Sequence, residues 1–355
     1  MSAVVSFCIS TYNRCDMVVE LVNHLLDNNR DDIEVVVVDN NSFDCTVVEL
    51  KKIIDSRLFL YVNKENVGGK RNWYEALSKG NGKWLFQLND RDYINTNYLS
   101  NLIESLKKLE ASNVGFAVGG EVIGGEGEQL FDEGYETLNE FALRDSHPTG
   151  QIIRRDVFEK IQDKEKYFSE DYYGVYPHGF LYAEIGQKYK GAYLCYDICD
   201  KANYAQRVAS CSQSMMYDNN TKIDDKWFMP NNRFHLLILA MEHVCTLNIS
   251  DVEIQKFIVN KYIRFFNKVT YEFYSACNNY TLKRRYSCED LQTNYLSIIA
   301  NAYDYSLSFR EYLENQDYYW KNDKLYETIN RIDLILLEGL YSWSEEIRRN
   351  TGDNK

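Results

Sequence analysis

Ile33-Glu34-Val35-Val36-Val37-Val38-Asp39-Asn40-Asn41-Ser42 is the stretch that decides the fold. A near-continuous apolar, β-branched run ends abruptly on short polar side chains. Such a run suits a strand covered on both faces, and strands of that kind belong to parallel sheets with helices above and below. The polar cluster marks the strand's carboxyl end, where open α/β sheets bind their ligands.

Working outward, the same alternation repeats. Val4 to Ile9 is a short β-rich run, followed by a helix with Val18, Leu21, Val22 and Leu25 on one face and Asp16 as its expected N-cap. After Ser42, Asp44 is expected to open a helix with Val47, Leu50 and Ile54 in register. Leu58 to Val62 is a third strand, Lys70 to Lys79 a helix closed by Gly80, and Lys83 to Leu88 a fourth strand. A helix from about Thr96 carries Leu99, Leu102, Ile103, Leu106 and Leu109, and Val114 to Val118 is a fifth strand. Repeated β-α units of this kind predict a mostly parallel sheet with right-handed crossovers. Gly119 to Gly134 reads as a loop. Further on, a helix is expected from Phe180 to Lys190 and a strand from Ala192 to Tyr196.

The 355 residues allow two domains. Residues 1–200 form the α/β domain, 201–231 a polar connector and 232–355 a helical domain. The last carries the stripes Ile258, Tyr262, Phe265, Val269, Phe273 and Ile329, Ile332, Leu336, Leu340, Trp343, Ile347. Hydrophobic residues at 45% and charged residues at 26% describe an ordinary globular chain, and only 3 prolines exclude a proline-rich linker. A net charge of −13 argues against general nucleic-acid binding, which depends on neutralising phosphates. The 9 cysteines are scattered, odd in number and without a CxxC pair, so reduced thiols are expected. With no signal-peptide pattern at the start, the expected location is cytoplasmic. Leu236 to Leu247, the most apolar stretch, is too short to span a bilayer.

Three polar clusters sit at expected strand ends. In Leu88-Asn89-Asp90-Arg91-Asp92, residues two apart point to one side, so Asp90 and Asp92 can converge. Two close carboxylates repel unless a cation lies between them, and oxygen ligands with open positions suit Mg²⁺ or Mn²⁺ bridged to a diphosphate. Asp39-Asn40-Asn41-Ser42 can accept hydrogen bonds from a base or ribose. Glu65-Asn66-Val67-Gly68-Gly69-Lys70-Arg71-Asn72 places two cations in a helix's first turn, against its dipole, which an anionic ligand would offset. Taken alone, each cluster is also an ordinary turn.

Together with Val5-Ser6-Phe7-Cys8-Ile9-Ser10-Thr11-Tyr12-Asn13-Arg14, these pieces resemble glycosyltransferase family two, the GT-A fold, and within it the enzymes that build bacterial surface polysaccharides. The resemblance is strong over about residues 3–110 and weak over 111–200. It implies that Thr11 and Tyr12 line a nucleobase pocket and that Asp39 binds base or ribose. Arg71 would approach the diphosphate or base, and Asp90 and Asp92 would be a DxD motif binding ribose and a divalent metal, Mn²⁺ or Mg²⁺. The donor would be a nucleotide sugar, UDP-linked by preference. Direct displacement would invert the anomeric carbon, a hexosyltransferase reaction.

An inverting transferase needs a base at the acceptor hydroxyl. The family supplies it from a Glu-Asp pair at the start of a late helix, but here that helix begins Tyr176-Pro177-His178-Gly179-Phe180. Asp171, a few residues earlier, or His178 is the base expected in its place. His147 and Thr149, in His147-Pro148-Thr149-Gly150, are expected near the acceptor. That acceptor would be a glycan, lipid-linked or glycoprotein hydroxyl. Lys283-Arg284-Arg285, beside Tyr280 and Tyr286, is a candidate for contact with an anionic inner membrane face or for a homo-oligomer interface. Two other readings stay open. The missing helix-start carboxylate admits a non-catalytic GT-A partner of another transferase. A nucleotidyltransferase ranks lower, because Ser10-Thr11-Tyr12-Asn13 lacks the glycine-rich loop that chemistry uses.

Overall fold

The structure is a computed structural model that describes residues 3–120, 127–143, 148–169 and 176–200, with isolated positions between 243 and 261. The chain divides into two compact units, Met1–Lys222 and Ile223–Lys355.

In the first unit the elements run β1 (Val5–Thr11), α1 (Cys15–Leu26), β2 (Ile33–Asp39), α2 (Thr46–Leu50), β3 (Leu58–Val62), α3 (Gly69–Lys79), β4 (Trp84–Asn89) and β5 (Tyr93–Ile94). A 3-10 turn (Thr96–Tyr98) leads into α4 (Leu99–Ala111) and β6 (Val114–Val118), then β7 (Glu128–Phe131), α5 (Tyr135–Phe141), β8 (Gln151–Arg154) and α6 (Arg155–Lys160). A second 3-10 turn (Lys164–Phe168) precedes α7 (Pro177–Gly186), β9 (Lys190–Leu194) and β10 (Cys199–Asp200).

Eight strands form one sheet in the order β3-β2-β1-β4-β8-β6-β9-β7. β1, β2, β3 and β4 are mutually parallel, and β6 pairs parallel with β9. β8 runs antiparallel between β4 and β6, and β7 antiparallel on β9. The sheet is therefore mostly parallel but mixed, as the alternating first half predicts and the second half conceals.

Alternation of side chains sorts the two faces. Phe7 and Ile9 of β1, Val35 and Val37 of β2, and Trp84, Phe86 and Leu88 of β4 pack on Val18, Leu21, Leu25 of α1 and Leu102, Ile103, Leu106 of α4. On the other half of the sheet the core is aromatic: Phe116 stacks on Tyr182 and meets Phe141 edge-on.

Several expectations change in detail. Helix α1 starts at Cys15 with Arg14 at the N-cap, so Asp16 lies in its first turn, where a negative charge suits the dipole. The helix after Asp44 is a single turn ending at Leu50, and Ile54 is fully exposed. Asp44 Oδ1 still accepts from Thr46 N at 2.9 Å, which explains the N-cap signal. The expected loop over 119–134 contains β7, an edge strand whose burial pattern is too polar to read from sequence. The connector and both helical stripes lie outside the described residues; of the expected helical domain, residues 246–249 are turn and bend and residues 252–254 are helical.

Candidate active site at the carboxyl ends of the strands

Parallel pairing brings the polar clusters together. Thr11 stands opposite Asp39, and Ser10 opposite Asn89, so the residues just past β1, β2 and β4 share one rim. Thr11, Asp39, Asp90 and Asp92 are all buried there. Among the described residues, Thr11 Oγ1, Asp39 Oδ1 and Asp90 Oδ2 are buried with no hydrogen-bond partner. An orphaned buried polar group costs roughly 1–3 kcal/mol, so several at one strand end describe a pocket that a polar ligand completes.

The remaining atoms hold the rim in shape. Ser42 N donates to Asp39 Oδ2 at 2.8 Å, Asn13 N to Ser42 Oγ at 2.8 Å, and Phe43 N to Asn13 Oδ1 at 3.0 Å. Asn13 (φ 52°) and Asn41 (φ 63°) take the left-handed conformation that asparagine tolerates better than most residues. Cys15 and Cys45 are disulfide-bonded with Cα atoms 5.5 Å apart, tying the start of α1 to that of α2. This corrects the expectation of reduced thiols for these two. Their spacing of 30 residues carries no signal, since only the sheet brings the loops side by side. Among the described residues, Cys8 and Cys195 carry free thiols. Burial pushes the Cys8 thiol far above its ordinary range, which leaves it inert.

Each acid of the Asp90–Asp92 pair is held by a distant segment. Arg14 Nη1 donates to Asp90 Oδ1 at 2.6 Å. Thr149 Oγ1 donates to Asp92 Oδ2 and accepts from Asn89 N at 3.0 Å. Thr149, expected on the acceptor side, thus orients Asp92. Gly150 beside it has φ 94°, and a Cβ there would collide with the Gly119 carbonyl, so the turn requires glycine.

An amide network supports the glycine loop. Asn40 Nδ2 donates to Asn66 Oδ1 at 2.7 Å, and Asn63 Nδ2 to Asn40 Oδ1 and Asn72 Oδ1 at 3.1 and 2.9 Å. Asn72 Nδ2 reaches the Val38 carbonyl at 3.1 Å. Gly68 caps α3 at φ 85° with no side-chain cap. Sequence reading missed Arg14, Ser42 and this network; the asparagine clustering at strand ends was the available signal.

The other expected residues have the following surroundings. Tyr12 is half-buried, and its ring meets exposed Phe43 edge-on at 6.2 Å. Arg71 bonds Glu165 at 2.9 Å and Glu75 at 3.0 Å and lies 4.6 Å over the Tyr74 ring. Its bond to Glu165 raises its pKa further. No described contact brings it to Asp39 or Asp90. His178 is buried in α7, stacked on Tyr176 at 5.4 Å and packed on Tyr182 at 5.8 Å. Asp171 and His147 lie outside the described residues.

Among the described residues no three His, Cys, Asp or Glu side chains converge into a metal cage. Asp90 and Asp92 supply oxygen donors of the kind a hard divalent cation takes when a diphosphate provides further ligands, and the orphaned Asp90 Oδ2 fits that use.

This geometry is a buried polar rim at the carboxyl ends of a mostly parallel α/β sheet. Residues 6–162 match the family model Glycosyl transferase family 2, and this segment is a glycosyltransferase family 2 domain. The chain is 26% identical over 182 residues to GalNAc(5)-diNAcBac-PP-undecaprenol beta-1,3-glucosyltransferase of Campylobacter jejuni, covering 48% of this chain and 56% of that one. It is 35% identical over 95 residues to abequosyltransferase RfbV of Salmonella typhimurium, covering 24% of this chain and 28% of that one. The match thus spans about half of the first relative's length and under a third of the second's. The fold is similar to crystal structures of S. aureus TarS 1-349, with a TM-score of 0.54 at 15% identity over 99% of this chain and 92% of that one. The same protein in complex with UDP-GlcNAc aligns with a TM-score of 0.51 at 15% identity over the same shares. No helix among the described residues is long and apolar enough to cross a membrane.

Proposed function

We propose that this protein transfers a sugar from a nucleotide diphosphate, UDP-linked by preference, to a hydroxyl of a glycan or lipid-linked glycan, with inversion. The observation that carries the reading is the set of buried oxygens on Thr11, Asp39 and Asp90, at adjacent strand ends, that have no partner among the described residues. A nucleoside offers both donors and acceptors to such a rim. Asp39 Oδ1 would accept from an N–H of the base, with Tyr12 against the base's face. Asp90 Oδ2 would accept from a ribose hydroxyl or join Asp92 at a divalent cation. Such a cation, when bound, supplies Lewis-acid stabilisation of the leaving diphosphate.

The chain's own residues do the positioning. Ser42 and Arg14 fix one oxygen each of Asp39 and Asp90, and Thr149 fixes Asp92, so the acids need little reorganisation when a ligand arrives. For the acceptor's proton, burial of His178 between two tyrosines favours Asp171, since a base must reach the hydroxyl it deprotonates. A lipid-linked glycan is the acceptor class that the Campylobacter relative's name suggests.

Calorimetric titration of UDP into the wild type and Asp92→Ala, with and without Mn²⁺, tests this. Metal-assisted binding that the variant loses is the expected result. No UDP binding in any condition overturns the UDP assignment, and inability of the wild type to turn over any nucleotide sugar overturns the enzyme reading.

A further inference from the structure

We propose that Arg14 is the internal counter-charge of the strand-end acids, a positioning residue that favours a diphosphate in the pocket and disfavours a bare divalent cation. The inference rests on the nucleotide-binding reading above and adds a role for a residue that it does not use.

Arg14 lies between β1 and α1, 76 residues from Asp90, and the parallel β1–β4 pairing brings the two together. The bond is short, 2.6 Å, and charge-assisted. The Asp90 side chain is 1% exposed and that of Arg14 29%, so the acid is desolvated while the Arg14 side chain keeps some contact with solvent. A desolvated carboxylate stays charged only when it is paired. With Oδ1 held by Arg14, the carboxylate cannot rotate freely, and Oδ2 keeps one direction with no partner among the described residues. Thr149 does the corresponding orienting for Asp92, but with a neutral hydroxyl. Arg14 is therefore placed both to aim Asp90 and to cancel one unit of its charge.

The sign of the effect follows from Coulomb's law in a partly desolvated site. Two acids side by side attract a lone divalent cation and repel a diphosphate. A guanidinium at 2.6 Å from one of them weakens the attraction and relieves the repulsion. The cation is then held best together with the diphosphate. A residue that merely braced the loop would move both affinities the same way.

The experiment titrates the full chain with Mn²⁺ alone, with UDP in a chelator, and with both. The proteins are wild type, Arg14→Ala, Arg14→Gln and Arg14→Lys, and thermal melting runs in parallel. The expected result for Arg14→Ala and Arg14→Gln is opposite movement: UDP affinity falls by on the order of tenfold while Mn²⁺ affinity rises severalfold. Arg14→Lys, which keeps the charge, lies between them and the wild type. In an Asp90→Asn background the Arg14→Gln effect on Mn²⁺ disappears, because the two residues act as a pair. Affinities that fall together with the melting temperature, or that do not move at all, overturn the proposal. If Arg14→Ala does not fold, the Gln and Lys variants decide between these outcomes. A wild type that binds no UDP overturns the nucleotide reading instead, and the Mn²⁺ titrations still decide the counter-charge.

Discussion

The two ends of one sheet bury acids in opposite states. At the amino end, Glu34 of β2 leaves no buried oxygen unpartnered among the described residues: its Oε1 accepts from Ser6 Oγ at 2.6 Å, Asn81 N at 2.5 Å and Gly82 N at 3.2 Å. Nearby, Arg57 closes the amino end of β3, bonding Asp55 at 2.8 Å and the carbonyls of Leu26 and Arg30 at 2.7 and 2.8 Å. At the carboxyl end, five residues along the same strand, Asp39 has one oxygen satisfied and one buried without a partner. The same residue class on the same strand thus serves cohesion at one end and leaves capacity for a ligand at the other. Burial of the residue alone does not separate them; a buried oxygen left without a partner does.

The contrast breaks first at Asp92. Replacing it with alanine is expected to lower sugar transfer on the order of a thousandfold or more, about 4 kcal/mol of transition-state stabilisation, while the melting temperature stays near wild type. A matching loss of thermal stability would make the carboxyl end structural too. Glu34→Ala is the mirror case. It strands buried donors and should cost on the order of 3 kcal/mol in denaturant unfolding, with UDP affinity of the folded protein unchanged. An affinity loss without destabilisation would erase the distinction.

Asp39→Asn sharpens it more finely, because the amide keeps an acceptor for Ser42 N but removes the charge. UDP affinity should fall by on the order of tenfold in calorimetry with stability little altered. The smallest effect belongs to Asp55. Its bond to Arg57 holds its carboxyl below the usual range, so its stabilisation is present above the unfolded pKa and is lost as pH falls through the lower folded value. Asp55→Asn should cost on the order of 1 kcal/mol at neutral pH, and its stability should converge on wild type as the pH falls through the lowered folded value. A gap that persists in acid would mean that Asp55 acts by shape and not by charge.

Much of this was legible residue by residue. The valine run of β2, the helical spacing of α1 and α4, and the punctuation at Gly80 are local signals, and local sterics read them out directly. So were the strand-end clusters, because a polar burst marks where a buried strand ends, and several of them together point to a shared rim. What stayed hidden depends on strands that meet far apart in sequence. β8 enters the sheet antiparallel, and that insertion carries Thr149 to Asp92 when its position in the chain suggested the acceptor. Arg71 stands at a helix start, and it pairs with Glu165, which no local pattern connects to it. Arg14 ends the β1 motif with no role assigned in the sequence, and the β1–β4 pairing puts it on Asp90.

Periodicity and strand-end chemistry were enough to establish the order of elements, the parallel half of the sheet and the acids at its rim. They rest on backbone and side-chain preferences within a few residues. Which oxygen of each acid is occupied, by a cation, a hydroxyl or a backbone amide, came from packing alone. Hydrogen bonds and ion pairs are satisfied in space, and a chain folded through right-handed crossovers places its partners without regard to their distance along the sequence.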